Sequence, residues 1–125
     1  MSRDNTLLVD DIWECASKVQ RYSAGMARES FFDDEKTYDA VLRNLEIIGE
    51  AAKSLPEILR SQIVGVEWSK VVGMRNYVAH VYFGISEDIV WDVITARIPE
   101  LLAAIEEFRQ RQNPSEDAGS NAAPC

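Results

Sequence analysis

Apolar residues recur at helical spacing along most of the chain. Leu8, Ile12, Cys15, Val19, Tyr22 and Met26 alternate by four and three positions, the mark of a one-sided helix. Asp4 or Asn5 is placed to cap its start. A second stripe runs through Tyr38, Val41, Leu42, Leu45, Ile48, Ala52 and Leu55. Asp33, Asp34 and Glu35 precede it, where a helix N-terminus favours negative charge. Pro56 either ends that helix or opens a short one through Leu59. A third helix is predicted from about Trp68 to Val81, with Trp68, Val71, Val72 and Val78 as apolar contacts. Gly84 breaks it, and Ser86 caps a long fourth helix. That helix carries Ile89, Val90, Val93, Ile94, Ile98, Leu101, Leu102, Ile105 and Phe108. Pro99 inside it predicts a kink, because proline removes a donor and crowds the preceding turn. No alternating-strand pattern competes. Short connections between amphipathic helices predict an all-α fold, an antiparallel bundle of four or five helices over residues 1–112. From Asn113 the composition turns to Pro, Ser, Gly, Asn and Ala, which predicts a disordered tail over 113–125.

Composition narrows the functional classes. The chain has 125 residues, the length of one ordinary domain, and 46% of them are hydrophobic, enough for a real core. Its formal net charge of −8 argues against a generic basic nucleic-acid coat. The balance is uneven, however. Residues 67–85 hold Lys70 and Arg75 against Glu67 and form the only net-positive stretch, which also contains the single histidine, His80. Cys15 and Cys125 lie near opposite ends, with neither metal-ligand spacing nor a disulfide framework. No run approaches the roughly 18 apolar residues of a membrane span, and the N-terminus is polar, so a cytoplasmic setting is the expectation.

The segment from Met74 to Gly84 places Arg75, Asn76, His80 and Tyr82 within eight positions. At about 100° per residue, Asn76 and His80 share one helix face, and Arg75 and Tyr82 the neighbouring one. An arginine fork matches phosphate oxygens, and a histidine titrates near neutrality and can move a proton. A metal-free ribonuclease needs a base for the ribose 2′-OH, a cation for the developing charge and an acid for the leaving oxygen. With one histidine per chain, a twofold dimer pairing these patches supplies two His and two Arg to one cleft. Arg75 paired with Glu46 or Glu50, and His80 satisfying carbonyls at a helix end, is the structural alternative.

Arg75-x4-His80-x-Tyr82 matches the RX4HXY motif of the HEPN superfamily, and the chain resembles in particular the HepT toxins of HepT/MntA toxin–antitoxin pairs. The similarity extends to Arg43–Lys53, to Trp68–Asn76, to Tyr82–Ile85, and to Ile89–Ile94 followed by Pro99. It covers about residues 5–110. The resemblance implies a homodimeric, all-helical, metal-independent RNase toxin without a cofactor. It implies that Arg75 and His80 are catalytic and that Asn76 supports them. It implies that Tyr82 is the tyrosine a cognate nucleotidyltransferase antitoxin modifies with AMP. A nucleotidyltransferase activity of the chain itself is excluded, since the Gly-Ser and paired-Asp metal motif is absent.

Other residues have two readings each. Glu46 and Glu50, four apart, form a solvated stripe, or else Glu50, and secondarily Glu46, orients Arg75 across a helix pair. Gly49, unfavourable in mid-helix, permits a close helix approach within the chain or at a dimer seam. Trp68 and Trp91 read as core or interface anchors, Trp13 as an interface residue and Cys15 as core. The alternative function is a non-catalytic helical dimer that binds a nucleotide or a protein.

Overall fold

The computed structural model describes residues 3–77, 84 and 86–112. These form helices and turns, with no strand among the described residues. The long helices are α1 (Arg3–Ser23) and α3 (Glu35–Ser54). Between them lies a short α2 (Arg28–Asp33). Next come α4 (Glu57–Gln62), α5 (Trp68–Gly73) and a 3-10 turn (Met74–Asn76). Then α6 (Glu87–Asp92) passes through a π-helical turn (Val93–Arg97) into α7 (Ile98–Gln112). The all-α fold class is therefore as the sequence predicts, with the long elements broken into more pieces.

The caps follow side-chain chemistry. Asp34 starts α3 by accepting the Thr37 N–H at 3.1 Å. Ser86 starts α6 by accepting the Asp88 N–H at 3.1 Å. Asp4 sits inside the first turn of α1 rather than before it. Pro56 does both jobs open to it: it follows the end of α3 and occupies the N-cap position of α4. Gly25, Gly65 and Gly84 have φ of 73°, 93° and 87° and make the turns that other residues resist.

The core runs between α1, α3 and the α6–α7 arm, where Ile12, Val19, Val41, Leu45, Ile48 and Ile105 are wholly buried. In α1, Val9 and Ala16 join the predicted stripe, whereas Tyr22 is exposed. Ile89, expected in the core, is half exposed. The unforeseen α2 inserts Phe31, which meets Phe32, Tyr38 and Trp91 at ring-centroid distances of 5.0, 5.7 and 5.7 Å. Burial raises the Tyr38 phenol, and the Glu87 and Asp39 carboxylates add to it. Burial likewise raises the Cys15 thiol, which behaves as a small core residue. Trp13, read from sequence as an interface residue, has a partner within the chain: the Arg109 guanidinium lies 4.9 Å over its ring.

Pro99 perturbs the fourth helix in a specific way. The Ile98 N–H reaches back five residues to the Val93 carbonyl, and the Thr95 hydroxyl donates to the Trp91 carbonyl at 2.8 Å. The wider turn stands just before the proline that lacks a donor.

Candidate active site

The site starts from how the chain delivers Arg75. The Trp68 indole N–H donates to the Arg60 carbonyl at 3.0 Å, tying the start of α5 to the end of α4. Arg97 adds ion pairs to Glu67, Asp92 and Glu100 at 3.9, 3.7 and 3.2 Å, drawing α5, α6 and α7 together. Lys70, the other cation of the net-positive stretch, pairs with Glu67 at 3.2 Å. Val71 and Met74 are buried and drive the α5 end and its 3-10 turn into the core. With three residues per turn, Met74 points inward, Arg75 runs along α3 and Asn76 is exposed. The α-helical 100° spacing assumed for this stretch therefore does not hold through residues 74–76.

Arg75 is seated on α3. Its Nη1 donates to Glu50 Oε1 at 3.5 Å, with 30% of the arginine side chain and 61% of the glutamate side chain exposed. Glu46 is engaged elsewhere, accepting from Arg43 Nη1 at 3.0 Å. Gly49, buried in α3, lies directly beneath the Arg75 backbone. The arrangement presents a permanent cation, held at one edge by a carboxylate and open to solvent on the other, as an anion-binding group requires.

On the α6 side of the same turn a cleft of about 510 Å³ opens, floored by Met74, Tyr77 and Val93 and edged by Lys70, Asp92 and Arg97. Burial raises the Tyr77 phenol, and the Asp92 carboxylate adds to it. The sequence pattern gave no sign of this cleft, because it depends on how α6 leans on the 3-10 turn. His80 and Tyr82 lie outside the described residues, as do Val78, Val81 and the whole segment 113–125 with Cys125. Among the described residues, no group of three or more His, Cys, Asp or Glu side chains converges as a metal cage would need. No helix among them is long and apolar enough to cross a membrane.

An all-helical scaffold that seats a partly exposed arginine over a carboxylate suits a protein that handles phosphate esters. Comparison with known proteins narrows that class. The ribonuclease HepT-like family matches residues 12–108. Putative RNase MJ0127 of Methanocaldococcus jannaschii is 35% identical over 106 residues, covering 85% of this chain and 88% of its own. Putative RNase TTE0752 of Caldanaerobacter subterraneus subsp. tengcongensis is 38% identical over 99 residues, covering 79% and 88%. Probable ribonuclease HepT of Thermococcus cleftensis is 32% identical over 110 residues, covering 88% of this chain and all of its own. No solved structure gives a significant match. The chain belongs to the ribonuclease HepT-like family, and its enzyme class is ribonuclease.

Proposed function

We propose that this ribonuclease is the toxin of a toxin–antitoxin pair and cleaves RNA, tRNA or mRNA, without a metal. Arg75 binds the scissile phosphate and stabilises the charge that develops on its oxygens. His80 takes the proton of the ribose 2′-OH as that oxygen attacks phosphorus. The bond from phosphorus to the 5′-oxygen breaks, leaving a 2′,3′-cyclic phosphate, and the departing oxygen takes a proton from His80 of the partner subunit in a homodimer. Asn76 supports the site by hydrogen bonding, and Glu50 orients the guanidinium. Glu46, occupied by Arg43, has at most an indirect part. A cognate nucleotidyltransferase antitoxin silences the enzyme by attaching AMP to Tyr82, placing bulk and negative charge where the RNA phosphate belongs. The cytoplasm is the setting.

The observation that carries this reading is the seating of Arg75. The motif arginine is held at one edge by Glu50 and remains open to an anion at the other. The test is cleavage of total tRNA in EDTA by the dimer freed of its antitoxin. Arg75→Ala and His80→Ala are expected to lose at least a hundredfold in rate while keeping their circular dichroism spectrum and dimer mass. Cleavage that vanishes in EDTA and returns with Mg²⁺ refutes the metal-free route. Absence of any cleavage by the wild-type dimer leaves the non-catalytic binding module. Tyr82→Phe is expected to cleave and to resist silencing by antitoxin with ATP.

A further inference from the structure

We infer that Gly49 is a positioning residue for Arg75: it lets the main chain of Arg75 sit against α3 at a depth no other residue type permits. The inference rests on the reading of Arg75 as the phosphate-binding group. Gly49 lies in the interior of a 20-residue helix, where glycine is the poorest choice after proline. Its backbone does not explain it, because the glycines with positive φ are Gly25, Gly65 and Gly84. The explanation lies across the helix pair. A Cβ added at Gly49 would stand 2.8 Å from Arg75 Cβ and 2.9 Å from its Cα, and closer still to its backbone nitrogen. Those are main-chain atoms and the first side-chain carbon, so no rotamer change relieves the overlap. Gly73, the glycine ending α5, is different: a Cβ there meets nothing within 4 Å.

Neighbouring residues of α3 thus hold the two ends of Arg75. Gly49 receives its backbone, and Glu50 receives its guanidinium at 3.5 Å. A methyl group at position 49 must lift the 3-10 turn off α3 to reach ordinary contact distance, a displacement of up to about an ångström. Misplacement of a catalytic group by about that much costs on the order of a hundredfold in rate. The loss is expected in the chemical step, because Gly49 is buried and acts only through the placement of Arg75.

The test is a double-mutant cycle on the full-length dimer, with rates normalised to the folded fraction by circular dichroism. Gly49→Ala is expected to lower kcat about 10- to 100-fold with KM changed less than threefold. Gly73→Ala is expected to leave both unchanged. Combined with Arg75→Lys, which keeps the charge without the fork, Gly49→Ala is expected to cost much less than it does alone, since both act on the same placement. Wild-type kcat in folded Gly49→Ala, or full additivity with Arg75→Lys, overturns the inference. If Arg75→Ala itself cleaves like wild type, the reading of the site fails instead, so the two failures are distinct. Should Gly49→Ala not fold, the wild-type protein decides by NMR relaxation. An Arg75 backbone N–H order parameter near the rigid value of about 0.85 supports the seat, and one below about 0.6 overturns it.

Discussion

Arg75 and Glu50 stand 25 positions apart in the chain and meet only because α5 and its 3-10 turn dock on α3. Sequence spacing names the face of α3 that carries Glu46 and Glu50, yet it does not say at which height a second helix crosses. In the structure Glu50 is the one that pairs with Arg75, and Glu46 pairs with Arg43. Gly49 was legible as an anomaly, a glycine in a good helix, but the atom it makes room for is a tertiary fact. The Glu50 pair is solvent-exposed, so its contribution to stability is about 0–1 kcal/mol. Glu50→Gln is accordingly expected to shift the melting temperature little. Its kcat is expected to fall about fivefold, the rate equivalent of about 1 kcal/mol lost from arginine orientation. Paired melting and steady-state assays check this, and a large stability loss without a kcat change would contradict it.

At the scale of helices, periodicity found the long elements, proline and serine signalled the starts of two shorter ones, and α2 was missed. The stripes of α1, α3 and α7 are long enough to average out exceptions such as Tyr22. Six-residue α2 has no room for a period, and its adjacent Phe31 and Phe32 both pack on Tyr38 and Trp91. The start of α3 was legible from Asp33, Asp34 and Glu35, and the structure selects Asp34 as the cap. The Thr37 backbone N–H, with the Thr37 side chain, holds the Asp34 carboxyl below its ordinary value. The sign follows directly. A carboxyl with a lowered folded-state value stabilises the fold above its unfolded value, near 3.8, and that contribution disappears as pH falls through the folded value. Asp34→Ala is therefore expected to melt at a lower temperature than wild type at neutral pH. The difference is expected to close on acidification below about 4, a trend that thermal melts across pH 2–7 measure directly.

Across the whole molecule, net charge and local charge pull in opposite directions. A chain of formal charge −8 repels an RNA polyanion at long range, and the site offers Arg75 within a stretch whose Lys70 is already paired. Few phosphates are neutralised on binding, so few counterions are released. KM for RNA is expected to rise with salt with a logarithmic slope below about 2, far shallower than that of a basic groove making many phosphate contacts. A titration of KM against KCl concentration checks it, and a steep slope would point to a second basic surface supplied by assembly. Composition made this sign of the field readable without a structure. The cleft beside the 3-10 turn was not readable, because it depends on how α6 packs against that turn.

The π turn at Val93–Arg97 bears on how the length of this chain can vary. A turn closed by a bond across five residues holds one residue more than an α turn of the same function, with the apolar positions Val90, Ile94 and Ile98 spaced by fours through it. Loss of one residue inside that turn converts it to an α turn and leaves the downstream face in register. The same change inside α7 rotates Leu101, Ile105 and Phe108 by about 100° away from the core they fill. Geometry thus makes this turn, beside Pro99, the place in the last helical arm where a one-residue deletion is absorbed rather than propagated.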